Sequence, residues 1–389
     1  MNPTTKQLDD TYVAHTYARF PVELTRGSGS VLTDPDGREY IDLGTGIGVN
    51  AFGLADPEWV RAVTEQAARL PHTSNLYYTE PCARLAELLC RRTGMRRVFF
   101  GNSGAEANEC AIKAARKYSD AVKGADHFTI VTLFNSFHGR TLTTLSATGQ
   151  EHYHELYQPL TPGFVHVHAE DIDELRRVAR ETKAAGVLLE CVQGEGGVVV
   201  LSREYVRAVA AFCAEENIPL MVDEVQTGNG RTGALYAYMN YGITPDIVST
   251  AKGLGGGLPL GACLLGEKLA DVFAPGDHGS TFGGNPICCA GALSILSRID
   301  DALLASVREK GEYLLRAFAG APGVQDVRGL GLMVGILPVR PAGEVVSDCL
   351  SNGVLCLTAK DRIRLLPALT IPMDKLEQAV SVLLAALRA

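Results

Sequence analysis

The sequence predicts an α/β protein with a mostly parallel sheet of the seven-stranded type between helices and a smaller α+β unit. Three observations predict it. Short strands alternate with helices from about residue 57 onward. Each of those strands is nearly continuous in apolar residues, the mark of a sheet covered on both faces. After about residue 290 the alternation gives way to a helix, a pair of strands and a closing amphipathic helix.

Taken in order, residues 1–30 read as an irregular arm broken by Pro21, Gly27 and Gly29. "VLTDPDGREYIDL" alternates around an Asp-Pro-Asp-Gly turn and predicts a hairpin. "RLAELLCRRT" reads as helix, "RRVFF" as a short strand, and "AEANECAIKAARKYSDAV", rich in Ala, Glu and Lys, as a long helix. The strands "HFTIVTL", "AGVLLEC", "PLMVDEV" and "DIVST" follow, separated by helical stretches such as "SREYVRAVAAFCAEEN". Beyond them "ALLASVREKGEYLLRAFAG" predicts helix, "VQDVRGLGLMVGIL" strands, and "DKLEQAVSVLLAALRA" a final helix. The expected division is 1–45 for an arm and hairpin packing with the small unit, 46–288 for the large unit, and 289–389 for the small one.

Composition narrows the function. A net charge of −8 argues against a nucleic-acid surface, which needs a basic field. No apolar run approaches the ~20 residues of a membrane helix, and the N-terminus carries neither a signal-peptide nor a transit-peptide pattern. A cytoplasmic protein is expected. The ten cysteines are scattered through apolar stretches with no Cys-x-x-Cys pair, so they read as buried thiols. The pairs His152/His154 and His166/His168 lack the companions of a zinc site, and no metal is expected.

In an open parallel sheet, ligands gather at the carboxyl ends of the strands. After "RRVFF" comes "GNSGAEANE", a turn leading into a helix whose free N–H groups and dipole suit a phosphate, although Ser103 could equally be an ordinary cap. After "HFTIVTL" comes "FNSFHGRT", with Phe137, His138 and Arg140. After "AGVLLE" comes "CVQGEGG", where Glu190 and Glu195 flank a glycine-rich turn. Asp223 ends "PLMV", where a carboxylate needs a cationic partner. Lys252 follows "DIVST" and heads the glycine run of "KGLGGGLPLGACLL". Together these ask for a planar ring with a phosphate, a basic ring nitrogen and an electrophilic carbonyl. Pyridoxal 5'-phosphate fits that description, with Lys252 as imine former and Asp223 facing the ring nitrogen. The glycines at 253, 255 and 257 follow the lysine and lead to a strand-like run, so they do not read as a dinucleotide loop.

"HTSNLYYTEP", "NSGAEANECAIKAAR", "SFHGRTLTTLSATG", "LLECVQGEGGVVV", "MVDEVQTGNGRTG", "PDIVSTAKGLGGGLPLGA", "HGSTFGGNP" and "RIRLLPALTI" resemble, over nearly the whole chain, the class III (ornithine/4-aminobutyrate type) aminotransferases. Those are pyridoxal-phosphate enzymes of fold-type I. "HTSNLYYTEP" and "SATGQEHYHELYQPLTPGF" look most like the acetylornithine-type members. The resemblance implies Lys252 as the Schiff-base lysine, Asp223 as partner of the pyridine nitrogen, and Phe137 and Val225 on the two ring faces. It further implies Gln226 near the ring hydroxyl, with Ser103, Gly104 and Ala105 at the phosphate. Thr281 would reach the phosphate of the neighbouring subunit, making a homodimer with sites at its interface. Arg364 would pair with the α-carboxylate of glutamate or 2-oxoglutarate, a task suited to its planar fork. Glu195 would occupy Arg364 when an uncharged chain lies there. Arg140, helped by Tyr17, would bind the distant carboxylate.

The resemblance leaves other ω-amines open: succinylornithine, succinyl-diaminopimelate, ornithine, 4-aminobutyrate or a carrier-bound lysine precursor. An aminomutase or racemase on the same scaffold would have no use for an arginine placed for a dicarboxylate acceptor. Three residues depart from the family pattern: Leu54 where a histidine is usual, Cys191 for a proline, and Asn229 among the glycines of "QTGNGRTG".

Overall fold

The computed structural model describes residues 4–389, so the first three residues of the expected arm lie outside the described residues. The rest of that arm is more regular than expected. Thr4 and Gln7 form a reciprocal capping box that starts a helix over Thr5–Tyr12. None of its residues is buried, so no apolar stripe announced it, and the Thr-x-x-Gln spacing was the only available signal. Strands β1 (Arg26–Ser28), β2 (Val31–Thr33) and β3 (Glu39–Asp42) then form an antiparallel meander, with Val31 opposite Ile41 in the expected hairpin.

The large sheet is built from β4 (Arg97–Gly101), β5 (Thr129–Leu133), β6 (Phe164–Val167), β7 (Ala184–Leu189), β10 (Leu220–Asp223), β11 (Ile247–Thr250) and β12 (Gly261–Leu265). A small ribbon of β8 (Val192–Gln193) and β9 (Val199–Val200) stands apart. The seven strands run in the order β4-β12-β11-β10-β7-β5-β6. Only β12 runs against its neighbours; every other junction is parallel. Strands β5, β7, β10, β11 and β12 are buried along their whole length, as two-sided coverage requires.

The helix Gly104–Lys123 covers one face. Ser103 caps it, and its apolar positions 107, 111 and 115, with 110 and 114, fall on one buried stripe. The consequence for function is directional. The parallel strands deliver the turns after β5, β7, β10 and β11 to the same sheet edge as the start of that helix.

The small unit carries an antiparallel sheet of β13 (Val324–Leu330), β14 (Met333–Pro338), β16 (Leu357–Ala359) and β17 (Arg362–Leu365), ordered β13-β14-β17-β16. Helices Asp301–Phe318 and Met373–Arg388 bury their apolar stripes beside it. Strand β15 (Val354–Leu355) pairs in parallel with β3, Val354 beside Ile41, and so ties the N-terminal meander to this end of the chain. Residue 289 does not open a new element. It lies within the helix Pro286–Leu296, whose Gly291 packs closely on Trp59 of the helix Pro57–Arg69.

Candidate active site

Lys252 and Asp223 stand in the wall of one cavity of about 150 Å³, which Gly104, Ala105, Phe137 and Val225 also line. Lys252 follows β11 with a left-handed backbone, φ 46°, a conformation that a lysine adopts only when its surroundings impose it. Burial pushes its ammonium below the ordinary lysine range; Glu195 pulls the other way and Arg364 adds to the downward push.

Asp223 is buried at the end of β10. Its Oδ2 accepts from Asn108 Nδ2 at 2.7 Å and from His138 Nδ1 at 2.8 Å, while Oδ1 accepts the Val225 N–H at 2.9 Å. Asn108 also donates to the His138 carbonyl at 2.8 Å and accepts from the Ser249 hydroxyl. The carboxylate is therefore held from the helix, from the turn after β5 and from its own turn. His138 Nε2 is buried with no partner among the described residues.

At the other end of the cavity, Gly104 and Ala105 open the helix, where the first N–H groups have no carbonyl four residues back to bond. A Cβ at Gly104 would stand 2.6 Å from Val225 Cγ1, so only glycine leaves that cradle open. The Ser103 hydroxyl is engaged in the cap itself, accepting from the Glu106 N–H at 3.2 Å and donating to its carboxylate at 2.9 Å. The phosphate-suited donors here are therefore backbone groups.

Glu190, on the turn after β7, accepts the Phe137 N–H at 3.0 Å and fixes that ring's base. Burial, and then the nearby Asp223 charge, raise the Glu190 carboxyl well above the ordinary range. Arg140 carries its guanidinium 5.6 Å from the Phe137 ring centre and 4.9 Å from that of Tyr153. Tyr153 was not anticipated from sequence; it meets Phe137 edge-on.

A third cluster joins the two units. Arg364, on β17, pairs with Glu195, and its Nη1 also donates to Gln226 Oε1 at 3.1 Å. Gln226 Nε2 donates to Glu195 Oε1 at 3.2 Å, closing a triangle. Burial alone would raise the Glu195 carboxyl, but the Arg364 charge holds it below its ordinary range. Arg364 Nε is buried with no partner among the described residues.

Thr281 and Tyr17 are not gathered into this cavity. Thr281 is exposed in a groove with His72, Asn75 and Leu76. Tyr17 is 74% exposed, under the Arg19 guanidinium. Of the departures, Leu54 lines a separate apolar cavity of about 320 Å³, and Cys191 is buried with its carbonyl held by Tyr241. Three of the four paired histidines find hydrogen-bond partners, His154 the Leu145 carbonyl, His166 the Thr132 hydroxyl and His168 Glu174, while the His152 ring lies against Tyr153.

A family model described as aminotransferase class-III matches residues 12–387. The chain belongs to the class-III aminotransferases. The enzyme is 50% identical to the acetylornithine aminotransferase of Haemophilus ducreyi over 380 residues, 97% of each chain. It is 43% identical to that of Methanocaldococcus jannaschii, over 97% of this chain and 96% of the relative. Among solved structures, ornithine aminotransferase from Toxoplasma gondii, which has PLP at its active site, superposes with a TM-score of 0.93. Its identity is 31%, with 99% and 94% of the two chains covered. N-acetylornithine aminotransferase from Stenotrophomonas maltophilia K279a gives 0.85 at 35% identity, covering 97% of both.

The cofactor of this class-III aminotransferase is pyridoxal phosphate. The donor set suits it: helix-start N–H groups beside a glycine cradle, an apolar wall from Phe137 and Val225, and a carboxylate and an amine on the same cavity. No helix among the described residues is long and apolar enough to cross a membrane.

Proposed function

We propose that the enzyme moves the δ-amino group of N2-acetylornithine to 2-oxoglutarate, giving N-acetylglutamate 5-semialdehyde and glutamate, a cytoplasmic step of arginine biosynthesis. The observation that carries this reading is the Arg364–Glu195–Gln226 triangle beside Lys252. A reaction that alternates between an amine with an uncharged chain near the reacting carbon and a dicarboxylate needs an arginine whose charge can be covered and uncovered. Glu195 is half-buried and supplies that cover. The names of the relatives, acetylornithine aminotransferase at 50% and 43% identity, support the same choice.

Asp223 and Lys252 are the catalytic pair in this reading. Gly104 and Ala105 hold the phosphate with Ser103 as cap, Phe137 and Val225 flank the ring, and Gln226 stands near its hydroxyl. His138 positions Asp223. When bound, pyridoxal phosphate supplies a ring that draws electron density from the carbon losing its proton. Asp223 keeps a proton on the ring nitrogen. Lys252 Nζ, its basicity lowered by burial, would carry the proton from the substrate carbon to the cofactor carbon that receives the amino group. Arg140, between Phe137 and Tyr153 and with no ion pair among the described residues, binds the carboxylate distant from the reacting carbon, assisted by Tyr17.

We also propose a homodimer in which Thr281 completes the phosphate site of the neighbouring subunit. Leu76 shares the groove with Thr281 and Phe282 follows it in the chain, and both leave large apolar side chains exposed, more than an isolated surface needs. The working units are 1–45 with 289–389, and 46–288, the helix Pro286–Leu296 bridging the last boundary.

The test is a panel of ω-amine donors with 2-oxoglutarate, ranked by kcat/KM. N2-acetylornithine is expected to lead. Faster turnover of unacylated ornithine or 4-aminobutyrate would overturn the substrate, leaving the family intact.

A further inference from the structure

Asn229 lies in the turn after β10, between Gly228 and Gly230, with a left-handed backbone of φ 57° that asparagine tolerates. Its side chain is 2% exposed and turns toward the following strand. Nδ2 donates to Thr250 Oγ1 at 3.0 Å and to the Ala251 carbonyl at 3.2 Å. Those are the last residue of β11 and the residue immediately before Lys252. The same Ala251 carbonyl accepts the Leu254 N–H at 3.0 Å, and Lys252's own carbonyl accepts the Gly255 N–H at 3.1 Å. The peptide preceding Lys252 is therefore gripped by two donors on one oxygen, one of them Asn229.

The turn carrying Asn229 is itself firm. Gly228 N–H bonds the Glu224 carbonyl at 2.9 Å and Gly230 N–H bonds that of Leu235 at 3.1 Å. There is no slack toward Gly253 either, where a Cβ would stand 3.3 Å from Asn229 Cβ. Asn229 Oδ1 is buried with no partner among the described residues, a cost that a glycine or an apolar residue would not carry.

We propose that Asn229 is a positioning residue for Lys252. By fixing the Ala251 carbonyl it sets the peptide plane that imposes the left-handed φ of 46° on Lys252, and so the direction in which Nζ enters the cavity. The inference rests on the reading of Lys252 as the reacting lysine. A residue of this kind affects the step in which Nζ must stand at the reacting carbon, and leaves carboxylate recognition at Arg364 and Arg140 unaffected.

The experiment compares wild type, N229G and T250V, each loaded with pyridoxal phosphate. Glycine accepts the φ at 229 without a Cβ, so N229G removes the donor without adding strain. T250V removes one acceptor and leaves the turn after β10 untouched. Three quantities are read: the pH midpoint of the visible cofactor band, kcat against KM, and the melting temperature. The expected result for N229G is a midpoint moved by more than about half a pH unit. With it, kcat falls about 10- to 100-fold and KM stays within about twofold. T250V shifts the midpoint the same way by less, and decides the matter if N229G is insoluble. An unmoved midpoint and kcat, whatever the melting temperature does, overturns the inference and leaves Asn229 a packing residue. A wild type that never gains the visible band overturns the reading of Lys252 as well, which separates the two failures.

Discussion

Asn108 Nδ2 lies 2.7 Å from Asp223 Oδ2, so a residue one turn inside the helix that faces the phosphate end also aims the carboxylate at the opposite end. One amide thereby sets the distance between the two ends of the cofactor cavity. It also satisfies the His138 carbonyl and the Ser249 hydroxyl.

Asn108→Ala leaves those buried groups unpaired, at about 1–3 kcal/mol. The affinity for pyridoxal phosphate is expected to fall about 10- to 100-fold. Titration followed by visible absorbance measures it, and an unchanged Kd would show that Asp223 holds its place without the amide.

Arg364→Ala should lower kcat/KM for 2-oxoglutarate about 100-fold or more, because a buried charge pair to the substrate is lost and Glu195 is left uncompensated. The N2-acetylornithine half-reaction should change far less. Glu195→Gln uncovers Arg364 permanently, so KM for 2-oxoglutarate should fall while the acylated donor reacts more poorly. Equal losses for both substrates in Arg364→Ala would contradict the alternating role. The pH sign is fixed as well. The Glu195 carboxyl is depressed when folded, so its contribution to stability is present above the ordinary carboxylate range and lost as pH falls through the folded value.

Glu224, next to Asp223 and fully buried, accepts from the Thr227 hydroxyl at 2.6 Å and the Tyr238 N–H at 2.8 Å. Burial pushes its carboxyl up to about 7. A raised acid holds its proton when folded and loses it when unfolded, so stability should fall as pH rises from the ordinary range near 4.5 to about 7. Glu224→Gln keeps the shape and removes the titration. At pH ~8 the variant should be more stable by on the order of 1–3 kcal/mol, with little difference at pH ~4. Parallel melting curves for the two proteins across that range would refute the assignment.

The pair L76D and F282D, combined, should shift the protein from dimer to monomer in sedimentation and weaken cofactor binding, because Thr281 then serves no neighbour. Dimers that persist with full cofactor affinity would place the interface elsewhere.

Much of the site was legible because its residues sit where strands end. Asp223 and Lys252 each follow a short apolar run, and a charged residue at that junction has few other reasons to be there. Asn108 was hidden inside a helix read as rich in Ala, Glu and Lys. The available signal was positional: residue 108 falls beside 107, 111 and 115 on the buried stripe, where a polar side chain needs a partner. The Arg364–Glu195–Gln226 triangle spans three elements up to 169 residues apart, so no local pattern could assemble it: the strand-end reading singled out Glu195, and only family resemblance named Gln226, Arg364 and the pairing. Tyr153 ends a single 3-10 turn, Glu151–Tyr153, too short to show any periodicity, and its ring meets the Arg140 guanidinium across that turn. The arm helix was missed for the opposite reason, since it carries a cap but buries nothing.

The central claim, that the side chain at 252 is the one bonded to the cofactor in a cavity shared with Asp223, is tested by borohydride reduction of the pyridoxal-phosphate-loaded protein followed by peptide mass analysis. The account predicts a single pyridoxyl adduct, on the peptide containing Lys252, and none in Lys252→Ala. An adduct on a different lysine, or no adduct in a protein saturated with cofactor, would contradict it.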